Sequence, residues 1–542
     1  MLNIKIFWNI LYILLSLIRY FMMISEYQNK TDEINLVLLR TQMVVPKWGH
    51  TDSKCPPLGL AYVAAALKQS GYQVRCIDAL GEAPLQKTVS ENNKFIDFGL
   101  TTKEILQHLS AKKFNVLFVS LMFSHEWPLT KSLIKVIKKN YPNIIIVCGG
   151  EHISSCPEFC IEECPEIDIC VLGEGEETSI DILKAIEQKK PFSKVNGIVY
   201  KSNNEIIRNP RRSRIRELDN IPLPAWDLFP VENYMSNGLG YGVNPGRTMP
   251  MLISRGCPYQ CTFCSNPQMW TTKWQARDPD CVIEEMQLYI DKYKVTNFDF
   301  YDLTTIVKKD WIVKFCQKVI KKNWNITWQM PSGTRSEALD DETLGLMKLS
   351  GQKHISYAPE SASKTTLIKI KKKIKIENMK KSIKIAVSKG MSVKLNLMLG
   401  FPEETHKEVR ETLAFVLHAA FMGVDDVYIA SFAPYPGSEL FDLLYKNRQI
   451  TKLDEDYFLN LTSYSDLLNS YSYSKYVGHK MLAFYRIGGM SMFYFLSIVF
   501  RPQRIFRFIS NFINKKEDSK IEKGIFQMIN RFQRKKNLKY RS

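Results

Sequence analysis

Apolar residues follow two repeated rhythms along this chain. Between residues 34 and 190, short runs rich in Val, Ile, Leu and Phe alternate with stretches whose apolar positions return every three or four residues. The runs at 34–41, 72–79, 115–122, 143–150 and 168–175 predict buried strands, and the patterns at 58–70 and 129–140 predict helices between them. Strands that are apolar on both faces and separated by helices belong to a parallel sheet covered on both sides. The expected fold is α/β, beginning with a doubly wound five-stranded parallel sheet domain over residues 32–190. Ligands of such sheets bind outside the carboxyl ends of the strands.

The second rhythm covers residues 249–444. Strands are predicted at 249–255, 295–303, 325–332, 354–360, 392–399 and 425–432, with helices such as 310–322 and 407–421 between them. Six β/α units predict a partial (β/α)6 TIM-type barrel over residues 247–455, open on one side, with its chemistry on loops at the carboxyl ends of the strands. Residues 191–246 are rich in Pro, Asn and Arg, including Arg211-Arg212, Pro222, Pro224 and Pro245, and predict a linker with little core of its own. An apolar amino-terminal extension, 1–31, and a helical, basic carboxyl-terminal extension, 456–542, complete the organisation.

The first barrel strand runs into Ser254-Arg255-Gly256-Cys257-Pro258-Tyr259-Gln260-Cys261-Thr262-Phe263-Cys264. Thiolates are the usual ligands of iron–sulfur clusters, and three of them on one tight loop leave one iron of a [4Fe–4S] cube without a protein ligand. An open metal position is where a cosubstrate can coordinate. A zinc knuckle would need a fourth Cys or His nearby, and none is close in sequence. The chain has twelve Cys in no regular disulfide framework, which points to metal or redox chemistry. No Gly-x-Gly-x-x-Gly follows the first strand, and there is no Gly-x4-Gly-Lys loop, which argues against a dinucleotide or a nucleotide phosphate.

Cys-x3-Cys-x2-Cys with an aromatic before the last Cys resembles the signature of the radical S-adenosylmethionine (SAM) superfamily. The resemblance implies that Cys257, Cys261 and Cys264 hold the cluster and are the catalytic centre. The open iron binds the amino and carboxylate groups of SAM, and one electron cleaves the sulfonium to a 5′-deoxyadenosyl radical. It implies that Phe263 packs near the adenine and that Asp302, Ser332, Arg335, Glu360 and Gly400, all at later strand ends, contact SAM. Of these, Glu360 meets the ribose or amino group, Arg335 meets the carboxylate, and Gly400 lets the backbone approach. Helix capping is the plainer role for such strand-end residues, with Thr405 before Glu408 as an example.

Three earlier blocks, Pro56-Pro57-Leu58-Gly59-Leu60, Cys148-Gly149-Gly150-Glu151-His152 and Gly173-Glu174-Gly175-Glu176, stand in this order before the thiol loop. They resemble the cobalamin-binding domain of cobalamin-dependent radical SAM enzymes. The implied cobalamin contacts are Pro57, Leu58, Gly59, Ser120, Gly149, Gly150, Glu151, Gly173, Glu174 and Gly175. Many cobalamin domains supply an axial His from Asp-x-His-x-x-Gly. Here the matching strand ends Asp78-Ala79-Leu80-Gly81, so no His from that motif reaches the cobalt. His125 and His152 are the other candidates to approach it. A domain that keeps only the fold is the plainer alternative. Cys156, Cys160 and Cys164, spaced by four, share one helical face and read as buried thiols or as a second cluster.

The resemblance implies methylation of an unactivated carbon, with cobalamin carrying the methyl group and the deoxyadenosyl radical activating the substrate. The runner-up is an oxidative cyclase resembling the anaerobic Mg-protoporphyrin monomethyl ester cyclase. A non-catalytic cobalamin or SAM sensor is the alternative from another class. The expected partners are a small-molecule or lipid-like substrate and a reductase, flavodoxin or ferredoxin as electron donor, with no nucleic acid.

Charge adds one element to this picture. Of the net +19, much lies between Arg501 and Ser542, where thirteen Lys or Arg face three Asp or Glu. The preceding residues, 487–500, are uncharged and largely apolar. Together they predict a cytoplasmic protein with a peripheral contact to the inner face of a membrane; a buried amphipathic helix is the alternative. Residues 6–18 are also apolar but short for a span, and no small-residue cleavage site follows.

Overall fold

The computed structural model describes residues 33–49, 54–90, 94–203, 205–243, 246–335, 339–466, 470–514, 519 and 522–525. The apolar stretch at 6–18 and the basic residues beyond 525 lie outside them.

The first five parallel strands are β1 (Leu36–Arg40), β2 (Val74–Asp78), β3 (Val116–Ser120), β4 (Ile145–Gly149) and β5 (Ile169–Val171). They lie in the order β5-β4-β3-β1-β2, so the winding reverses between β1 and β3. Register pairs Arg40 with both Asp78 and Ser120, and Ser120 with Gly149, which brings four strand ends level along one edge. The switch point opens at that edge. Both faces of the sheet are covered. Leu36, Leu38 and Phe118 pack toward α1 (Leu58–Gln69), while Val37, Leu39 and Val119 pack toward α2 (Trp127–Asn140). This two-sided burial is why the strands read as continuous apolar runs.

Beyond β4 the chain enters two short helices, α3 (Glu151–Ser155) and α4 (Pro157–Glu163), and beyond β5 it enters α5 (Glu176–Glu187). Residues 191–246, expected to be a linker, do more than connect. β6 (Ile198–Ser202) and β7 (Glu205–Arg208) form a hairpin that extends the sheet in antiparallel sense to seven strands. Trp226, Phe229, Tyr234 and Met235 are buried. Trp226 Nε1 donates to the Tyr289 hydroxyl at 3.1 Å, and the Tyr234 hydroxyl donates to Asp78 Oδ2 at 2.8 Å. The Pro-rich composition concealed these anchors because the core they enter is supplied by elements on either side.

The barrel strands are β8 (Thr248–Met251), β9 (Asn297–Phe300), β10 (Thr327–Gln329), β11 (His354–Glu360), β12 (Ser392–Leu399) and β13 (Asp426–Ser431). They form two parallel three-stranded ladders, β8-β9-β10 and β11-β12-β13, joined by the bridge Thr334–Tyr357. Among the described residues no ladder closes β13 onto β8, so the barrel is partial. The carboxyl-terminal extension begins with α6 (His479–Phe500) and α7 (Gln503–Asn514). Leu482 and Phe493 of α6 share one apolar core with the barrel, α1 and α5.

The two halves lock through buried charge. Arg255, two residues before Cys257, places its guanidinium 3.0 Å from Glu174 and 2.6 Å from Glu176, and all three side chains are at most 8% exposed. Arg214 reaches the other oxygen of Glu174 at 3.2 Å. Tyr62 and Trp270 stack over the Arg255 guanidinium, with ring centroids at 5.0 and 5.7 Å.

Two stability outcomes follow. Trp226→Ala empties a well-filled site and lowers unfolding free energy by about 3–5 kcal/mol, read as a shift of the urea midpoint. Arg255→Met strands the buried Glu176 carboxylate, leaves Glu174 with Arg214 as its one cation, and costs about 3–5 kcal/mol in the same measurement. A shift near zero for either would refute the packing or the ion pair described.

Candidate active site

The thiol loop follows directly from the first barrel strand. Asp302, at the end of β9, accepts Ile253 N at 3.3 Å and both the backbone N and Oγ of Ser254 at 2.5 Å, fixing the bend into the loop. Farther on, Thr262 N donates to Ile370 O at 3.1 Å and Leu440 N donates to Thr262 O at 2.8 Å. The loop is thereby clamped between segments that follow β11 and β13. Cys257, Cys261 and Cys264 are half-buried. Burial raises the pKa of all three thiols, to about 12 for Cys264, while Lys372 and Arg335 pull down on Cys257 and Cys261. Thiols of this kind become ligands by giving up a proton to metal.

The donor set fits a cluster better than a single ion. Among the described residues, the His and Cys ligand atoms that all lie within 4.8 Å of one another belong to His152, Cys156 and Cys160, not to this loop. A cube presents its irons at separate corners, so its thiolates stand farther apart than ligands of one ion.

Charged and aromatic groups ring the loop. Phe263 lies against Phe401 with ring centroids at 6.0 Å, and Lys372 Nζ stands 6.0 Å over the Phe263 ring. Lys372 also pairs with Glu360 at 3.0 Å, both nearly buried. Glu360 holds a left-handed backbone, φ +63°, at a register shift in β11. The Arg335 guanidinium sits 3.5 Å over the Tyr259 ring and donates to Lys373 O. Ser332 is exposed in the neighbouring turn.

Two of the residues expected to contact SAM have other work. Asp302 spends its oxygens on the backbone of Ile253 and Ser254, and burial raises its pKa to about 6. Gly400 (φ +90°) donates its N–H to Glu404 Oε2 at 2.7 Å, and a Cβ there would stand 2.8 Å from Leu482. Its glycine lets Leu482 of α6 approach closely. Thr405 and Glu408 do form the capping box.

On the sheet side the expected residues divide. Pro57, Leu58 and Gly59 open α1, and Gly59 has free space around it. Ser120 and Gly149 end their strands side by side. Gly150 has its α-carbon so close to Leu121 that a Cβ would lie 2.2 Å from Leu121 O, so its requirement is met within the protein. Glu151 Oε1 accepts from Ser265 Oγ at 2.5 Å, joining the sheet edge to the residue after Cys264. Gly173 N donates to Ser154 Oγ at 3.0 Å, and Gly175 packs against Val63. Glu174 belongs to the Arg255 ion pair. Glu174 thus joins the two halves, while Gly173 bonds and Gly175 packs within the sheet domain. Sequence could not separate a strand-end glutamate that faces a ligand from one that faces an arginine.

Leu80, where an axial His would stand, is buried in a small core with Phe98 and Tyr234. His152 is turned into a thiol group and walled by Trp127 and Phe458. His125 is buried with Nδ1 unpartnered, and burial followed by the nearby His152 lowers its pKa to about 4, so the ring is neutral at neutral pH.

Other buried polar atoms without a protein partner mark the same region. They are Gln42 Oε1 beyond β1, Glu126 Oε1 beyond β3, both amide atoms of Asn266 beyond the thiol loop, and the hydroxyls of Thr304 and Thr305 beyond β9. Buried polar atoms are normally paired, and an unpaired group at a strand end suits a ligand. With the open backbone at Gly59, this fits a large group with many hydrogen-bonding substituents. Burial raises the Glu126 pKa to about 7 against the pull of Arg40. Sequence reading passed over these residues, and their position just after a predicted strand was the available signal.

Residues 49–183 match the model of the B12 binding domain, and residues 251–416 match that of the radical SAM superfamily. The chain is 29% identical to an uncharacterized methyltransferase, PH0819, of Pyrococcus horikoshii, over 78% of this chain and 86% of that protein. It is 25% identical to the anaerobic magnesium-protoporphyrin IX monomethyl ester cyclase of Rubrivivax gelatinosus, over 72% and 66%. Its fold is similar to that of the radical SAM methyltransferase TsrM from Kitasatospora setae, solved with cobalamin and a [4Fe–4S] cluster, with a TM-score of 0.59 at 14% identity over 76% and 75% of the two chains. Carrying a B12 binding domain ahead of a radical SAM domain, the chain belongs to the cobalamin-dependent radical SAM enzymes, whose cofactors are a [4Fe–4S] cluster, SAM and cobalamin.

Proposed function

We propose that this enzyme methylates an unactivated carbon of a small or lipid-like substrate held where the sheet edge meets the barrel mouth. The observation that carries the reading is the contact between Ser265 and Glu151 at 2.5 Å. It brings the loop of Cys257, Cys261 and Cys264 against the edge at which Ser120 and Gly149 end. When bound, the cluster supplies the electron that cleaves SAM, and cobalamin supplies the methyl group. The three thiols hold the cluster. Arg335 and Lys372 offer cations to the SAM carboxylate, Glu360 offers an anion to its amino group or ribose, and Phe263 offers a face to the adenine. Gly59, Ser120, Gly149 and Glu151 border the cobalamin. Asn266, after the thiol loop, and Thr304 and Thr305, after β9, add buried uncharged hydrogen-bonding groups.

Anaerobically reconstituted protein given dithionite and SAM should release 5′-deoxyadenosine, and Cys257→Ala, Cys261→Ala or Cys264→Ala should each abolish it. In cells fed methionine labelled with a deuterated methyl group, the parent strain should contain a labelled metabolite that a deletion strain lacks. Deoxyadenosine formed with no labelled metabolite would instead favour a cyclase resembling the Rubrivivax gelatinosus enzyme.

We further propose that the carboxyl-terminal helices rest on an anionic lipid surface. Among the described residues α6 alone is long and apolar enough to cross a membrane. Its Arg486, however, is buried and donates to the carbonyl oxygens of Ile429, Ser463, Tyr464 and Asp466. Crossing would strip those bonds and carry the guanidinium into hydrocarbon. The opposite face is apolar and exposed, led by Phe484 and Phe495 on α6 and by Phe506 (74% exposed) and Ile513 (72%) on α7. Thirteen Lys and Arg against three acids lie between Arg501 and Ser542; Arg504 and Arg507 pair with Asp425 and Lys523 is buried against Gly240 and Gly242, and the remaining basic sequence complements anionic headgroups. Full-length protein should co-sediment with phosphatidylglycerol-containing vesicles and less with vesicles of phosphatidylcholine alone. Phe506→Glu/Ile513→Glu should lose that binding while still cleaving SAM. Equal sedimentation of variant and wild type would end this proposal.

A further inference from the structure

Away from the thiol loop, α3 and α4 gather a second set of metal-type ligands. His152, Cys156 and Cys160 follow one another at intervals of four, and their ligand atoms all lie within 4.8 Å of one another. Nε2 of His152 is 3.6 Å from Cys160 Sγ and 3.9 Å from Cys156 Sγ. Bond lengths of about 2.1 Å to nitrogen and 2.3 Å to sulfur give tetrahedral edges of about 3.5–3.8 Å, so these separations are close to those of ligands around one ion. Cys156 Sγ also lies 3.7 Å from Nδ1, which shares a hydrogen bond of 2.9 Å with Ser124 Oγ. With Nδ1–H as donor to that hydroxyl, Nε2 keeps its lone pair on the side of Cys160 Sγ, the tautomer that a metal-bound imidazole needs.

The surroundings suit a soft cation. His152 is 1% exposed, and Trp127 and Phe458 wall its ring at centroid distances of 5.4 Å each. A buried imidazole facing two thiols has only weak sulfur hydrogen bonds on that side, whereas a thiophilic ion would satisfy all three groups. The spacing of Cys156, Cys160 and Cys164 suggested a set of three thiols. The third instead turns away, and Cys164 Sγ donates to Glu166 Oε2 at 3.4 Å.

We propose that His152, Cys156 and Cys160 form a second metal site that takes one thiophilic divalent cation of the zinc class, separate from the cluster loop. Three protein ligands leave one position for a small exogenous ligand. The ion ties α3 to α4, and α3 begins with Glu151, the residue that meets Ser265 beside Cys264. The site therefore steadies the sheet side of the cofactor junction without touching the reacting groups.

The test uses full-length protein purified anaerobically with its cluster, given Zn2+, desalted and measured for zinc by mass spectrometry. The wild type should hold about one zinc per chain, and so should a variant with Cys257, Cys261 and Cys264 changed to Ala. His152→Gln and Cys156→Ser/Cys160→Ser should lose it, while Cys164→Ser should keep it. Cys156→His exchanges one ligand type for another. It should retain the metal and, with Co2+ in place of zinc, weaken the thiolate-to-cobalt absorption, which keeps the test informative should the ligand-removing variants fail to fold. No zinc on the wild type, full retention by both ligand-removing variants, or an unchanged cobalt spectrum in Cys156→His would each overturn the proposal.

Discussion

The buried guanidinium of Arg255 is the constraint on which the rest of this architecture leans. It sits two residues before Cys257 and reaches across to Glu174 and Glu176, which follow the last parallel strand of the sheet domain. Burying such charges is expensive, and attraction offsets that cost only with good geometry and full pairing. Here one cation meets two carboxylates, aromatic rings cover its faces, and Arg214 takes the remaining oxygen of Glu174. The arrangement sets direction more than it adds stability. A small rotation between the halves would leave charges buried and unpaired, so the thiol loop and the sheet edge keep one relation.

Around that lock, some groups after the strand ends are paired within the protein and others are not. Asp302 holds the bend into the thiol loop, Glu404 ties down Gly400, and Gly173 donates to Ser154. The Asp302 carboxylate and the N–H groups of Gly173 and Gly400 are satisfied within the protein, while Glu404 keeps Oε1 without a partner. Gln42, Glu126, Asn266, Thr304 and Thr305 keep buried polar atoms without protein partners. Groups already paired make a rigid frame, and groups left unpaired are available to a ligand that is itself rich in donors and acceptors. Lys372 and Glu360 pair at 3.0 Å beside Phe263, and Arg335 lies over Tyr259 on the same thiol loop.

The carboxyl-terminal helices show how burial can overrule hydropathy. By composition α6 is long and apolar enough to span a bilayer. Arg486 instead fastens its inner face to carbonyl oxygens around the end of the barrel, and Leu482 fills the space that Gly400 leaves open. What remains outside on α6 and α7 includes large exposed apolar side chains such as Phe484, Phe495, Phe506 and Ile513, beside basic sequence.

The sequence by itself determined the parts that depend on local periodicity and on spacing. Two-sided apolar runs specified the five parallel strands, six β/α repeats specified the partial barrel, and Cys-x3-Cys-x2-Cys after the first barrel strand specified a loop of three thiols. Those signals survive in one dimension because strand burial and loop spacing are properties of neighbours along the chain. Tertiary structure decided what depends on residues far apart in sequence. It turned the Pro-rich stretch into a hairpin and a set of buried aromatics, gave Glu174 to Arg255, and gave Asp302 to the backbone of Ser254. It also drew His152 rather than Cys164 toward Cys156 and Cys160. A glutamate or glycine at a strand end looks the same in sequence whether its partner is a ligand or another part of the protein. Only the folded chain, by bringing that partner within hydrogen-bonding distance or leaving the place open, assigns the role.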